Sequence, residues 1–270
     1  SHLPRLTKSG SQDMTSREKP IAMQNPGKNM NDQTKFTVMR DLVIANRILA
    51  NEGVVDAFGH VSVRHPDNPE RYIMACSRSP GIVTQDDLME YTLDGDPLTR
   101  KDLPMYAERF IHGGVYERRP DIHAVVHNHS HTVIPFGVTG IPIRPIIHVG
   151  ASVAGDVPIW DIHDRFGDTS LLVLNMDHAR DLAACIGDHN QAALMRGHGC
   201  VVGGKNVKEA TLRSIYLEVN AKLQLQSEAL GTPRYLTPGE VEQACHRMTV
   251  DLAINRAWEY WTIRAGCQDL

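Results

Sequence analysis

No run of apolar residues in this chain approaches the roughly 18 to 20 needed to span a bilayer. Its first residues carry no hydrophobic core of a secretory leader either. The expectation is a cytoplasmic protein with no membrane partner. Cysteine is scarce and unpaired in pattern: Cys76, Cys185, Cys200, Cys245 and Cys267 are odd in number, and none forms a Cys-x-x-Cys. That argues for reduced thiols rather than a disulfide framework. Basic charge is not in excess, with 28 Lys and Arg against 32 Asp and Glu and a net charge of -4, so a nucleic-acid-binding stripe is not expected. No Gly-x-Gly-x-x-Gly follows a strand-like run and no Walker loop is present, which removes the usual nucleotide cradles. What is there is 270 residues, 41% hydrophobic, enough to bury one sizeable core without a second domain.

Residues 1–35 are polar and aperiodic and read as an arm, a clasp on a neighbouring subunit or in part a non-native remainder, with one domain over 36–270. From Phe36 an apolar stripe at Val38, Leu42, Ala45, Ile48 and Leu49 predicts a helix ending near Gly53. Gly59 to Arg64 and Arg71 to Cys76 read as a hairpin across Pro66-Asp67-Asn68-Pro69. Thr84 to Met89 reads as a short helix capped by Thr84 with Asp87 at the capping-box distance, and Leu103 to Arg118 as a helix with Pro104 in its first turn. Ile141 to His148, Asp156 to Trp160 and Leu171 to Leu174 read as short strands, and His178 to Gly187 as a helix. Gln191 to Arg196 and Cys200 to Val202 form a hairpin-like pair, and Val207 to Leu230 is the longest helix, stopped by Gly231-Thr232-Pro233. Without a strict βαβ alternation, the pattern predicts a mixed sheet with helices on both faces.

The chemistry concentrates in histidine. His127 and His129 end the alternating run that follows Arg119-Pro120-Asp121, and a side-chain period of two sends both imidazoles to one face of a strand. His198 lies between Gly197 and Gly199, where the backbone can turn tightly and approach closely. Three neutral imidazoles suit zinc, manganese, iron or cobalt and leave coordination positions open, as a catalytic metal requires. Against this, 14 histidines produce some i, i+2 pairs by chance, and a lone His-x-His is more often a hydrogen-bonded or surface pair, so spacing alone leaves the two readings balanced. Glu108, His112 and Tyr116 fall on one edge of the expected helix. A hydrogen-bonded or solvated row is the favoured reading for His112 and Tyr116. Cys200, close to His198, reads as a small core residue.

The segment Met105 to His129 resembles the core signature of the class II aldolase/adducin family: an acid, a histidine and a tyrosine before an Arg-Pro-Asp turn, then a strand ending in His-x-His. Glu108, His112, Tyr116, Arg119-Pro120-Asp121, His127 and His129 fall on that pattern, and Gly197-His198-Gly199 with Gly204 on a later one. The likeness runs from about Thr37 to Leu230. It implies an α/β fold, a three-layer α/β/α sandwich with a mixed, largely antiparallel central sheet. It implies one divalent metal ion per subunit, Mn2+ or Zn2+, on His127, His129 and His198, with Glu108 catalytic as proton donor or, in competition, as a transient ligand. It also implies a homo-oligomer, expected as a tetramer. Trp258, Tyr260 and Trp261 near the C-terminus could serve its interface or the subunit's own core.

The departures from the sugar-phosphate members bear on substrate. Where those hold a phosphate with small hydroxyl and glycine residues, this chain has Gly59-His60-Val61-Ser62, Cys76-Ser77-Arg78-Ser79-Pro80 and Tyr106-Ala107. A guanidinium takes a carboxylate bidentately and a tyrosine packs on a ring. The combination resembles the decarboxylase branch of the family, which acts on ortho-hydroxy aromatic dicarboxylates: dihydroxyphthalates, or in vitamin B6 degradation 3-hydroxy-2-methylpyridine-4,5-dicarboxylate. His60, Ser77, Arg78, Ser79 and Tyr106 are then the expected contacts to a small aromatic dicarboxylate. An aldolase or dehydratase for a small phosphorylated sugar and a non-enzymatic adducin-like scaffold are the alternatives.

Overall fold

The structure, a computed structural model, describes residues 30–153 and 155–270. Residues 1–29 of the expected arm lie outside the described residues. The first helix, α1 (Met30–Asn51), starts six residues before the expected Phe36. No proline or glycine separates Met30 from Phe36, so a helix nucleated by the buried Leu42, Ala45, Ile48 and Leu49 propagates back through them.

A seven-stranded sheet is built from β1 (His60–Arg64), β2 (Arg71–Ala75), β3 (Leu88–Thr92), β4 (Ala124–Asn128), β5 (Ile159–Trp160), β6 (Ala192–Met195) and β7 (Gly199–Gly204), in the order β3-β2-β1-β4-β7-β6-β5. Every pairing is antiparallel except β5 with β6. The remaining helices are α2 (Phe110–Arg118), α3 (Ile134–Thr139), α4 (Ile162–Phe166), α5 (Met176–Ile186), α6 (Val207–Leu230), α7 (Pro238–Met248) and α8 (Asp251–Arg264). Alternation along the central strands splits the core in two. Val61, Val63, Ala124 and Val126 pack with α1, α6 and α8 on one face. Val125, Tyr72, Met74 and Val201 pack with α2 and α5 on the other. The result is the expected mixed sheet with helices on both sides, and none of the described helices is long and apolar enough to cross a membrane.

Several expected elements differ. Only Gln85–Asp87 forms a short 3-10 turn, and Leu88 onward is strand β3, registered Met89 against Met74. The Thr84–Asp87 pairing is real, with the Thr84 amide donating to Asp87 Oδ2 at 2.7 Å, but it closes a turn instead of starting a helix. The helix expected from Leu103 begins at Phe110, because the Pro104 carbonyl is taken by the Ser77 amide (2.8 Å) and the next turns close by i to i+3 bonds, Ile111 N to Glu108 O and His112 N to Arg109 O. Glu108 therefore sits just ahead of α2. Ile141 to His148 is not a strand. Pro142 and Pro145 remove ladder donors, and side chains of α6 stand in for a neighbouring strand: Gln224 and Asn220 accept from the Arg144 and Ile146 amides and donate to the Pro142 and Arg144 carbonyls (2.8–3.1 Å). The expected strand over 156–160 shrinks to β5, and Leu171 to Leu174 is irregular. Trp258 and Trp261 are buried within the subunit's own core, while Tyr260 is exposed.

Candidate active site

The centre of the sheet brings the expected metal residues together. His127 and His60 are directly opposed on β4 and β1, so their side chains leave the same face, toward α2. His129 stands one residue beyond the end of β4, and His198 on the β6–β7 turn, where Gly197 has φ +66°. Gly199 is required by close approach: a Cβ there would lie 2.0 Å from the Asn128 carbonyl oxygen, so the turn carrying His198 could not lie against the strand end carrying His129.

The His129 Nε2 lies 3.1 Å from the Nε2 of His127 and 3.0 Å from that of His198. Glu108 Oε2 lies 3.3 Å from His198 Nε2 and 3.6 Å from His127 Nε2, and the four ligand atoms fall within 4.8 Å of one another. Two main-chain carbonyls fix the tautomers. His127 Nδ1 lies 3.1 Å from Cys200 O and His198 Nδ1 lies 3.0 Å from Leu171 O. A carbonyl only accepts, so each Nδ1 carries the proton and each Nε2 turns a lone pair to the same point. Burial, reinforced by the neighbouring imidazoles, lowers the pKa of His129, and burial drives that of His127 well down, which keeps both rings in the neutral form a metal binds. Two lone pairs fixed on His127 and His198, with the His129 imidazole and the Glu108 carboxylate beside them, fit a divalent cation.

Glu108 is buried, which favours its neutral form. The Val173 amide donating to Oε1 at 2.9 Å, and any proton that His198 or His127 takes up on Nε2, favour the carboxylate and lower the group to about 2. It stands as a carboxylate, so a role as proton donor requires that it first take a proton up. Leu171 and Val173 are the contributions that residue-type reasoning missed. Leu171 has φ +66°, an uncommon conformation for a side-chain-bearing residue and one that stores about 1 to 3 kcal/mol of strain. It aims its carbonyl at His198.

The expected substrate contacts fall in two groups. His60 is buried, its ring 5.0 Å from that of His127 and 4.7 Å from that of Tyr106. The Tyr106 hydroxyl donates to the Arg78 carbonyl, which ties the Ser77–Ser79 loop to the same wall. Ser79 Oγ donates to Ala57 O at 3.0 Å. The Arg78 side chain, by contrast, is spread over the surface, with Nη1 3.2 Å from Asp87 Oδ1 and Nε on Ile82 O. Phe58, exposed and 6.3 Å from the His129 ring, adds an aromatic at the mouth that no spacing argument marks. A cavity of about 160 Å³ adjoins His129. His112 and Tyr116 are buried and hydrogen-bonded. Arg119 clamps Asp121 bidentately at 2.7–2.8 Å and holds the Asn190 carbonyl, a structural pin between α2 and the strands. Cys200 is a core thiol, pushed up to about 12 by burial.

Three convergent imidazoles and one carboxylate at the centre of a mixed sheet make a candidate divalent-metal centre. The chain belongs to the Class II Aldolase and Adducin N-terminal domain family, which matches residues 40–225. It is similar to decarboxylase tropJ of Talaromyces stipitatus, 30% identical over 245 residues, covering 83% of this chain and 92% of that one. It is also similar to a 3,4-dihydroxyphthalate decarboxylase of a Terrabacter species, 30% identical over 245 residues, covering 86% of this chain and 98% of that one. Among solved structures, the L-fuculose 1-phosphate aldolase from Glaciozyma antarctica superposes with a TM-score of 0.73 at 20% identity, covering 90% of this chain and 95% of that one. At that identity the likeness is one of fold. Family and relatives together make this chain an enzyme of the lyase class, with decarboxylase or aldolase-type chemistry.

Proposed function

We propose that the protein decarboxylates an ortho-hydroxy aromatic or pyridine dicarboxylate with a divalent metal, Mn2+ or Zn2+, held by His127, His129 and His198. The observation that carries the reading is the wall beside those histidines: a buried neutral imidazole, His60, packed on the Tyr106 ring. A flat anionic ring is matched by an aromatic face and an N–H donor, whereas a phosphate asks for small hydroxyls. The relatives' names support a dihydroxyphthalate, with 3-hydroxy-2-methylpyridine-4,5-dicarboxylate as the second compound to test.

The cation would act as a Lewis acid, stabilising negative charge on the ring oxygen. The protein residues move the proton. Glu108, ionised at rest, takes the proton of the ring hydroxyl and returns it to the ring carbon that bears the carboxylate. That carbon becomes tetrahedral and the acid β-keto in character. The bond to the carboxylate then breaks, its electron pair flows back through the ring to the oxygen, and CO2 leaves. The product oxyanion takes a proton from solvent. Arg78, with Ser77, Ser79 and His60, holds the carboxylate that stays, for which the exposed Arg78 side chain exchanges its buried Asp87 partner for the substrate. The active protein is a homo-oligomer, a tetramer by family likeness, in the cytoplasm.

The deciding experiment measures CO2 release from 3,4-dihydroxyphthalate and from 3-hydroxy-2-methylpyridine-4,5-dicarboxylate by protein loaded with Mn2+ or Zn2+. Release from either supports the reading. No release from both, with cleavage of a ketose 1-phosphate, would make the chain an aldolase.

A further inference from the structure

Behind His60 runs a buried chain of side-chain hydrogen bonds that the reaction above does not use. His60 Nδ1 lies 2.6 Å from His112 Nε2, His112 Nδ1 lies 2.6 Å from Ser62 Oγ, and Ser62 Oγ lies 2.7 Å from the Tyr116 hydroxyl. The four residues are between 0% and 4% exposed, so water does not compete for these bonds. Their geometry follows from the fold. His60 and Ser62 are two apart on β1 and share a face, and His112 and Tyr116 are one turn apart on α2, which lies over that face.

Such a chain has two senses. If His60 donated from Nδ1, His112 would donate from its Nδ1 to Ser62, Ser62 would donate to Tyr116, and the phenol hydrogen would have no acceptor among the described residues. A buried donor left unpaired costs about 1 to 3 kcal/mol. In the opposite sense Tyr116 donates to Ser62, Ser62 to His112 Nδ1, and His112 Nε2–H to His60 Nδ1, so the one hydrogen left over is on His60 Nε2, which is not among the buried side-chain atoms left without a partner. Burial raises the Tyr116 phenol and keeps its hydrogen on the oxygen, while a backbone hydrogen bond from Val125 works against that rise, as an amide donor does, and leaves the hydroxyl hydrogen to point at Ser62. The Arg64 guanidinium, 4.7 Å over the Tyr116 ring, holds the phenol in place.

We infer that Tyr116, Ser62 and His112 are positioning residues that lock His60 with its proton on Nε2, presenting a neutral N–H donor beside the metal histidines for a substrate carboxylate oxygen. Two consequences follow. The proton on Nε2 leaves His60 no lone pair for a metal there, although its ring lies 5.0 Å from that of His127. The same N–H meets a carboxylate with a hydrogen, where the other tautomer would turn a lone pair on it. The inference rests on the proposal that the substrate is a carboxylate, but the tautomer itself does not depend on it.

The test uses histidine labelled with 15N in the zinc-loaded full chain, and phthalate as an inert dicarboxylate probe. The parent should show His60 protonated at Nε2 and unprotonated at Nδ1. His112→Gln keeps an N–H donor toward His60 and a carbonyl acceptor toward Ser62, so it should retain that tautomer and bind phthalate within about three-fold of the parent. His112→Leu offers neither, and should show mixed tautomers, phthalate binding weakened by about ten-fold, and, in turnover, a KM that rises more than kcat falls. Circular dichroism and zinc content identify a folded, loaded variant. His60 protonated at Nδ1 in the parent overturns the relay. A folded, loaded His112→Leu that binds phthalate like the parent, or a parent that binds none, overturns the carboxylate role. Loss of decarboxylation on every substrate with the tautomer and phthalate results intact would overturn the proposed function and leave the relay standing.

Discussion

Replacing Glu108 with glutamine isolates one charge at the reacting centre. The Val173 amide donates to Oε1 at 2.9 Å, and a glutamine oxygen accepts the same bond, so the buried main chain loses no partner and the fold should persist with a small change in Tm. The Oε2 position, 3.3 and 3.6 Å from the Nε2 atoms of His198 and His127, would hold an amide that neither takes up a proton nor neutralises a cation. If Glu108 carries the proton from ring oxygen to ring carbon, turnover should fall by about 10² to 10⁴, or about 3 to 5 kcal/mol in the barrier. The assay is kcat for CO2 release at saturating metal, with zinc or manganese content and thermal unfolding measured on the same sample. Retained metal and fold with kcat within about five-fold of the parent would refute the proton-transfer role. Metal lost in proportion to activity would make Glu108 a ligand first.

His129→Ala should abolish metal binding in elemental analysis, because the other two Nε2 atoms lose the donor that lies about 3 Å from each; full occupancy with full activity would defeat the assignment. Burial holds His112 at about 3, below its unfolded value of 6.5, so the unfolded state binds its proton first and stability present above pH 6.5 is lost as pH falls toward 3. That slope is about 1.4 kcal/mol per pH unit from this residue, and urea unfolding between pH 7 and 5 should be flatter for His112→Gln; parallel curves would contradict it. Arg78→Ala should cost about 2 to 5 kcal/mol in kcat/KM on a dicarboxylate, with Arg78→Lys intermediate because it loses the planar fork. A monocarboxylate analogue should lose much less, and equal losses on both substrates would return Arg78 to its surface pairing with Asp87. Light scattering should find an oligomer at assay concentration, and an active monomer would remove it.

The clustering of His127, His129 and His198 was legible because each carries a local signature: a period-two pair at a strand end, and a histidine between two glycines. Glu108 was legible only by likeness, since the helix that would have set it in line with His112 starts after it. The strands at Ile141 and Leu171 were misread for one reason. Apolar residues between prolines or turns look like a strand in isolation, but what takes up their backbone groups is decided by distant residues, here Asn220 and Gln224 of α6 in one case and Glu108 and His198 in the other. The tryptophans at 258 and 261 were ambiguous because apolarity does not say which surface covers it; α1 and α6 of the same subunit do.

The parts of the site that sequence reasoning could not see are also the parts that explain its division of labour. His127 and His198 are oriented by the carbonyls of Cys200 and Leu171, and Glu108 by the amide of Val173. Main-chain groups survive any substitution that keeps the local backbone, so the metal-directed geometry is insulated from changes of residue type around it. The wall proposed to face the substrate is built the opposite way, from side chains: those of His60, Tyr106 and the Ser77–Ser79 loop. On the proposed reading, the Tyr106 and Ser77–Ser79 part of that wall can therefore change while the metal-directed geometry stays. The exception is His60, whose proton depends on three buried partners; it is where a change of specificity requires the core of the sheet to change with it.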